Sequence, residues 1–505
     1  MKTFKPGASL MTLVLLAGAA SAQQAAPAPI APPEALPPAV TLFHDDPAIA
    51  PPARVPDGLV QVKSVFLDAA GLRRLVPGQE VLLSPDAGPA ESWYVDSVAR
   101  PADNIRIVRC RHSTDPTGYA AFVTYDDATA MTLQVASRRA TYRLQFAGNG
   151  QYHVWRIDPA TLPPEGMPLA PPAEPPRQLD PSDDDYVPEG YGGRNPGGCN
   201  GGNRVLDILS VYTVEARDAI GGTSAMRAEC ALAVDHANTA YINSSMSTRM
   251  RLVYCNEIAY TESGDQNIDL PRLRDTADGF MDGVHTTRDN VNADIVQLVI
   301  NSGSGLGYCP GGAPTYAGSP FSTGAWWRIA VTYTTAHETG HNLGGGHNVA
   351  DGGACGPSYG VGWRFFGTDS NGYCTVIAYP TATYTRVLHY SNPSVNYQGT
   401  PTGVTIGLPN EAHNQRVLTD NDNTMEGFEL TRYDIYVDFA YGGIEIGTAS
   451  LPYNTVAEGV ANIDTPNTGA GENPTLYIDA GTQAYHATIS KAMTIIPCGG
   501  SVTIN

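Results

Sequence analysis

The chain has 505 residues, which is too long for a single hydrophobic core, so several domains are expected. Acidic residues outnumber basic residues by 50 to 30, and the formal net charge is -20. Nucleic acid and anionic membranes are therefore excluded as expected partners, because both need a basic protein surface.

Residues 1–22 have the pattern of a cleavable secretory signal peptide. Lys2 and Lys5 precede an apolar core at 10–17, and Ala20-Ser-Ala22 supplies a small-residue cleavage site. The apolar core is too short to cross a bilayer, and no later stretch approaches the roughly 20 apolar residues needed. We expect a secreted protein without a membrane anchor.

Two linkers flank a β-rich region. Residues 23–58 are dense in Pro and Ala and predict an extended linker, and residues 161–203 are rich in Pro, Gly and Asp. The second linker is the expected processing site, because exposed segments of this composition are where proteases cut. Between them, residues 59–160 alternate short apolar strands with polar turns. The predicted strands are 59–66, 105–109, 121–125, 131–135 and 142–146.

Residues 204–430 read as an α/β domain, because apolar strands alternate with segments of helical periodicity. The predicted strands are 205–212, 249–254 and 295–300, and the predicted helices are 224–243, 270–281 and 410–420. Residues 327–333 are expected to form an edge strand or the lead-in to a further helix.

The segment from His337 to His347 carries the strongest chemical signal. His337 and His341 are four residues apart, so on a helix both rings project from one face and reach a single ion. Gly344 allows a turn that a side chain would penalise, and this turn returns His347 as a third ligand. Glu338 stands beside the first ligand, where its carboxylate reaches a metal-bound water without ligating the ion. The pattern predicts a catalytic Zn2+ site with Glu338 as general base.

The sequence HETGHNLGGGH resembles the extended zinc motif HExxHxxGxxH of the metzincin metalloendopeptidases. The surrounding chain, from about 205 to 425, is most similar to bacterial secreted reprolysin-like members. This similarity includes Val205–Tyr212 and Tyr390-Ser-Asn-Pro393. The resemblance implies a zincin-like α/β fold, with a twisted mixed sheet above the cleft and a mostly helical lower part. It also implies protein or peptide substrates.

The resemblance also bears on the β-rich domain at 59–160. Residues Tyr152–Asp158 resemble the end of the propeptide that precedes bacterial metzincin domains. The protein would then be a zymogen whose own propeptide inhibits it until processing. The alternative is a permanent N-terminal β domain.

Two positions depart from the family pattern. Ile377 stands where metzincins carry a Met beneath the metal, and Asn348 stands where related groups often have an acidic residue. Ile keeps an apolar floor of similar volume, although its branched stem is stiffer. The resemblance places Tyr379 near the metal, where its hydroxyl would support the oxyanion. A packed turn tyrosine is the alternative.

Residues 431–505 form short predicted strands broken by Gly and Pro. They resemble the opening rungs of a right-handed parallel β-helix, which predicts a short all-β C-terminal module. Residues 452–460 predict a short helix between its strands.

Six of the eight cysteines lie between 199 and 374, and in an exported protein such a set indicates disulfides. We expect the pairs Cys355–Cys374 and Cys230–Cys255, although sequence alone does not fix connectivity. Cys110 is either a zinc-binding thiolate that keeps the zymogen silent, a buried free thiol, or a partner of Cys498. The acidic run Asp183–Asp185 offers oxygens for Ca2+ but lacks EF-hand spacing, so calcium is unsupported.

Two functions from different classes follow. The first is a secreted zinc metalloendopeptidase. The second is a surface adhesion or carbohydrate-binding protein in which the C-terminal module works and the zinc domain is vestigial. A decayed site typically loses the glutamate, and Glu338 is present together with all three histidines.

Overall fold

The computed structural model describes residues 37–47, 55–56, 58–86, 88–102, 104–159, 161–172, 204–311, 318–429, 434–442, 452–463, 474–485, 488–491 and 493–504. The predicted signal peptide, most of both predicted linkers, Cys199 and Asp183–Asp185 lie outside these residues. Among the described residues, none of the helices has the length and apolarity required to cross a membrane.

A ten-stranded sheet forms the N-terminal domain, with the strand order β1-β4-β5-β6-β7-β8-β9-β10-β3-β2. Its strands are β1 Val40–Thr41, β2 Phe43–Asp45, β3 Leu59–Leu67, β4 Glu80–Leu83, β5 Glu91–Ala102, β6 Ile105–His112, β7 Gly118–Tyr125, β8 Ala128–Val135, β9 Ala140–Gly148 and β10 Gln151–Ile157, with helix α1 at Ala69–Arg74. The five predicted strands are confirmed. The linker prediction for 23–58 is wrong at residues 40–45, because β1 and β2 pair with β4 and β3.

The second domain is built on a five-stranded mixed sheet with the order β12-β11-β13-β15-β14. The strands are β11 Arg204–Tyr212, β12 Thr248–Glu257, β13 Ile295–Ile300, β14 Gly305–Gly307 and β15 Phe321–Ala325. All neighbours pair in parallel except β14, which runs antiparallel to β15 at the edge. The predicted strands at 205, 249 and 295 are confirmed. Strand β15 was missed because FSTGA lacks a run of large apolar residues.

Helices pack around this sheet. They are α2 Val214–Ile220, α3 Thr223–Asn243, α4 Gln266–Arg274, α5 Gly283–Val291, α6 Thr334–Asn342 and α7 Asn414–Glu426. The single helix predicted at 270–281 is wrong: α4 ends at Arg274, and the backbone of Gly279 is left-handed, with φ +86°. The predicted helix at 410–420 begins later, at Asn414. Residues 327–333 form turns that lead into α6 rather than a strand.

Smaller strands follow α6: β16 Arg364–Phe366, β17 Gly372–Cys374 and β18 Tyr384–Arg386 form one sheet, and β19 Asn396–Tyr397 pairs with β20 Thr400–Pro401. The C-terminal residues contain β21 Asp434–Val437, α8 Val456–Asn462, β22 Thr475–Gln483 and β23 Thr494–Ile504. These last three strands pair in parallel. A parallel sheet is what β-helix rungs require, and the β-helix itself stays a prediction.

The N-terminal sheet shares a hydrophobic core with the second domain. Ile107 and Trp155 from the sheet pack in one cluster with Met226 of α3 and Trp326. A buried ion pair also connects the two domains at this contact. Arg143 of β9 donates to Glu229 of α3 at 3.1 Å, with side chains 0% and 2% exposed.

We expect Glu229→Ala to lower the free energy of unfolding by about 3–5 kcal/mol, because it leaves the Arg143 charge buried without its partner. Asp420→Ala is the matched control, since Arg416 and Asp420 form an exposed pair on α7. Losing that pair should change the free energy of unfolding very little, because water and salt screen an exposed ion pair. Urea unfolding of the three proteins measures the difference, and equal costs for the two variants would contradict the interpretation.

Candidate metal centre and cleft

Three buried imidazoles converge at the C-terminal end of α6. The Nε2 atoms of His337 and His341 are 3.0 Å apart, those of His341 and His347 are 3.0 Å apart, and those of His337 and His347 are 3.2 Å apart. All three side chains are fully buried. Nitrogens bound tetrahedrally to one ion at about 2.0–2.1 Å would be separated by roughly 3.3 Å, so the arrangement fits a single small cation.

Backbone carbonyls fix the orientation of two of these rings. His337 Nδ1 donates to Val376 O at 2.9 Å, and His341 Nδ1 donates to Gly345 O at 2.7 Å. With the proton on Nδ1, the Nε2 lone pairs are left pointing at the common centre. Burial lowers the pKa of all three imidazoles, that of His341 to about 4. Neutral rings are the form that binds a metal.

The turn after α6 has the conformation that the sequence predicts. Gly344 is left-handed, with φ +90°, and its N–H closes the helix on His341 O at 2.8 Å. The sulfurs of Cys309 and Cys355 lie at bonding distance beside this turn, with Cα atoms 6.2 Å apart. Cys355 Sγ is 3.3 Å from Gly345 O, the carbonyl that orients His341. The cysteine pair therefore tethers the loop that returns His347.

Both predicted disulfides are wrong in this structure. Cys374 is a free, buried thiol, and Cys230 and Cys255 are neighbouring free thiols. Cys355 pairs instead with Cys309, because the loop carrying Cys309 crosses over the end of α6. Cys110 is a free thiol in the core of the N-terminal sheet, where burial raises its pKa to about 12. It neither joins the three histidines nor pairs with Cys498.

The start of α6 is held from outside the helix. Tyr333, the residue before α6, has φ +62°, a conformation that costs an aromatic residue roughly 1–3 kcal/mol. Its buried ring packs against His236 at 5.1 Å, and its hydroxyl donates to Gln134 of the N-terminal sheet at 3.0 Å. Contacts from two domains thus maintain a strained residue that sets where the histidine-bearing helix begins.

Ile377 forms the apolar floor that was expected at its position. It is fully buried in the cluster beneath α6. A Cβ at Gly340 would lie 2.7 Å from Ile377 Cδ1, and one at Gly345 would lie 2.6 Å from the same atom. The two glycines therefore let α6 settle directly onto Ile377. Asn348 also braces its loop, since it donates to Gly362 O and accepts from Ala350 N.

Glu338 is fully buried, and both of its carboxylate oxygens lack a hydrogen-bond partner among the described residues. Burial raises the pKa of this carboxyl well above its usual range, and the charge of Glu165 adds to the effect. The carboxylate packs against the edge strand β14, where a Cβ at Gly305 or Gly307 would collide with its oxygens. Its unmet acceptors are suited to receive a proton from a water or a substrate.

Tyr379 lies over the three histidines. Its ring is 4.3 Å from the His347 ring and 5.9 Å from the His337 ring. Its hydroxyl donates to Glu165 O at 2.8 Å and lies 3.3 Å from Gly166 O. The tyrosine is thus at the expected place, with its hydroxyl directed at backbone carbonyls that occupy the cleft.

Residues 163–169 lie in the cleft beside Tyr379 and the edge strand β14. The sequence did not predict that this segment fills the cleft. Gly166 N donates to Gly305 O at 2.8 Å, and Leu169 N donates to Gly307 O at 3.0 Å, so the segment adds to the edge of β14. Leu169 pairs in parallel with Tyr308. Beside this segment the cleft opens into a groove of about 410 Å³. The Pro-rich composition of 161–172 predicts only an exposed linker, so no pattern could have placed it here.

Among the described residues, two groups of side chains have metal-binding spacing. One is the three histidines, and the other is His341 with Cys309 and Cys355. The second group has both sulfurs paired, so it offers no thiolates. The remaining described histidines do not join such a group.

Comparisons with known proteins agree with this geometry. The sequence model described as metallo-peptidase family M12B, reprolysin-like, matches residues 227–348. A peptidyl-Asp metalloendopeptidase of Stenotrophomonas maltophilia (strain R551-3) is 30% identical over 68% of this chain and 78% of its own length. The chain belongs to the reprolysin-like metallopeptidases.

Another relative of the same name, from Xanthomonas campestris pv. campestris, is 30% identical over 66% of this chain and 75% of its own length. The crystal structure of metalloproteinase-II from Bacteroides fragilis matches 62% of this chain and 89% of that protein, at 13% identity and a TM-score of 0.36. The enzyme class predicted from the sequence, a zinc metalloendopeptidase, is confirmed for this reprolysin-like chain.

We expect Ile377→Ala to destabilise this metallopeptidase by about 2–5 kcal/mol, because it opens a cavity beneath α6. Ile377→Met, which restores the family residue at nearly constant volume, should cost less than about 1.5 kcal/mol. Thermal unfolding with bound-metal analysis checks both variants. The floor assignment fails if Ile377→Ala is as stable as Ile377→Met.

Proposed function

We propose that the protein is a secreted endopeptidase that holds one Zn2+ on His337, His341 and His347. The observation that carries the proposal is the convergence of three neutral imidazole nitrogens beside an unpartnered, buried Glu338. Three nitrogen donors with a fourth position left open are typical of catalytic zinc, whereas hard cations prefer oxygen donors. The donor set therefore fits the ion.

The bound ion supplies a Lewis acid that makes water nucleophilic near neutral pH and polarises the scissile carbonyl. Glu338 accepts the proton of the attacking water and passes it to the leaving amine. Its raised pKa suits the second step, because a buried carboxyl holds a proton readily. Tyr379 donates its hydroxyl to the substrate oxygen on which negative charge develops.

The cleft supports extended peptides as substrates. In this structure, the backbone groups of Gly305 and Gly307 on the edge strand β14 bond to residues 166 and 169. An incoming peptide would use the same main-chain groups, which gives affinity without selecting side chains. The relatives are called peptidyl-Asp metalloendopeptidases, which supports bonds next to aspartate as the sites of cleavage.

Export and latency complete the proposal. The signal-like residues 1–22 direct the protein out of the cell, where Cys309 and Cys355 form a disulfide that holds the His347 loop. Residues 59–172 act as an inhibitory propeptide, because residues 163–169 fill the cleft that a substrate needs. Cleavage within 173–203 precedes release of this segment.

The decisive test is casein hydrolysis by Glu338→Ala. Loss of the proton carrier should lower the rate by about 10²–10⁴-fold while the zinc content stays at the wild-type level. A chelator should abolish wild-type activity, and added Zn2+ should restore it. Glu411→Ala, at a loop glutamate whose partners are Ser358 and the backbone of Gly407, is the control that should retain full activity. Hydrolysis that persists at the wild-type rate in Glu338→Ala would refute Glu338 as the general base. Absence of chelator-sensitive hydrolysis by the wild-type protein would refute the endopeptidase and favour the adhesion or carbohydrate-binding alternative.

Latency is tested by N-terminal sequencing of the secreted protein over the course of a culture. Activity should rise as chains beginning between 173 and 203 accumulate and the N-terminal fragment is lost on gel filtration. The measurement pairs each sequence with its specific activity. Full activity in chains that still begin before residue 161 would show that the N-terminal domain is a permanent part of the enzyme.

A further inference from the structure

Glu165 places a buried carboxylate next to the metal centre, and the residues around it belong to the other domain. Its side chain is 1% exposed. The Arg386 guanidinium donates to both of its oxygens: Nη1 donates to Oε1 at 3.1 Å, and Nη2 donates to Oε2 at 2.6 Å. Thr334 Oγ1 donates to Oε1 at 2.7 Å, and Arg328 Nη2 lies 3.9 Å from the same oxygen. We call Arg328, Thr334 and Arg386 the carboxylate pocket.

The carboxylate pocket is held in place by its own domain. Arg386 also donates to Thr332 O at 2.8 Å and, through Nε and Nη2, to Ala378 O at 3.1 Å from each nitrogen. Arg328 is 2% exposed and lies over the Trp327 ring at 5.3 Å. The contacts of Arg386 with Thr332 and Ala378 do not involve Glu165, so its position is set by its own domain. Arg328 Nη1 also donates to Pro163 O at 2.8 Å, so this arginine contacts the backbone of the segment that fills the cleft as well as its carboxylate.

Two arginines surround one carboxylate, so the pocket has a positive charge in excess. Arg386 contacts both oxygens of Glu165, and Arg328 lies near one of them, so the pocket is suited to an ionised carboxylate. When residues 163–169 leave, Arg386 and Arg328 lose the carboxylate that lies beside them in this structure. Two guanidinium groups in the cleft favour another carboxylate in its place, because charge-assisted hydrogen bonds to a carboxylate are strong.

The position of the pocket ties it to the reaction. Glu165 Oε2 lies 3.5 Å from His337 Nδ1, on the side of the ring that faces away from the converging nitrogens. The carbonyls of Glu165 and Gly166 accept from Tyr379, and Gly166 N bonds to the edge strand. Glu165 therefore sends its side chain into the carboxylate pocket while its backbone carbonyl lies against the Tyr379 hydroxyl.

We propose that Arg328, Thr334 and Arg386 form the specificity subsite, which selects substrates with an acidic side chain beside the bond to be cut. Glu165 occupies this subsite in the unprocessed chain and mimics the substrate's carboxylate. The inference rests on the proposed endopeptidase function and adds the residues that choose the substrate. An amide of the same shape cannot pair with both arginines, so neutral isosteres are rejected.

The test uses fluorogenic peptides that are identical except for Asp, Glu, Asn, Gln or Lys at one position. The protein is expressed from the full-length gene and purified from the medium. We expect kcat/KM for the acidic peptides to exceed that for their amide isosteres by about 100-fold or more. Mass spectrometry of the products shows that the bond adjoining the varied residue is the one cut.

Arg386→Gln and Arg328→Gln should each reduce the acid-over-amide ratio by about tenfold or more. Arg416→Gln, at an exposed arginine of α7, should leave the ratio unchanged. Zinc content and melting temperature establish that each variant is folded. If Arg386→Gln does not fold, Arg328→Gln is the variant that tests the subsite. The specificity subsite is refuted if wild type hydrolyses acidic and amide peptides equally, or if the folded arginine variants keep the wild-type ratio. Either result leaves the proposed endopeptidase function intact. That function is itself refuted if no peptide, and no casein, is hydrolysed in a chelator-sensitive way.

Glu165→Gln tests the internal occupant in the intact precursor. Weaker seating of residues 163–169 should give the uncut variant several-fold more activity than uncut wild type. Glu91→Gln, which changes an acidic residue of the same domain that pairs with Arg138 away from the cleft, is the control. Equal activity of the Glu165→Gln and wild-type precursors overturns the role of Glu165 as occupant.

Discussion

Bringing three imidazole lone pairs to one point is unfavourable unless a cation receives them, and the second domain is organised around that constraint. Val376 and Gly345 hold two rings by their Nδ1 atoms, and Ile377 supports the helix from below. The left-handed Gly344 and the tether at Cys309 and Cys355 return His347 to the same point. These supporting groups lie on different segments of the chain, so the three histidines reach their common point only when the whole domain has folded.

The same centre depends on the N-terminal sheet. Gln134 reaches across to accept from the Tyr333 hydroxyl and to donate to Arg386 O. Its two bonds therefore join the strained residue before α6 to the strand that carries one side of the carboxylate pocket. The N-terminal domain contacts the catalytic elements at their backbone, in addition to filling the cleft with residues 163–169.

The sequence predicted local structure and the histidine cluster well, because both follow from short-range spacing. The turn at Gly344 and the apolar floor at Ile377 appear as expected, whereas the roles of Glu338, Tyr379 and the three histidines stay predictions. The partner of Cys355 and the helix at 270–281 were wrong, since pairing across 46 residues and a break among small polar residues are decided by tertiary contacts. Arg328, Arg386 and Glu165 carried no signal because they are far apart in the chain and meet only through the path of residues 163–169.

The edge strand β14 carries a constraint of its own. Side chains at Gly305 and Gly307 would strike the carboxylate of Glu338, which is more than thirty positions later in the chain. Glycine at these two positions lets the strand lie directly against Glu338, with the tighter approach at Gly305, so a glutamate of the histidine motif restricts the composition of a segment outside that motif. Gly305-Leu-Gly307 is consequently constrained by a side chain from another element, and any larger residue at position 305 would have to displace the Glu338 carboxylate.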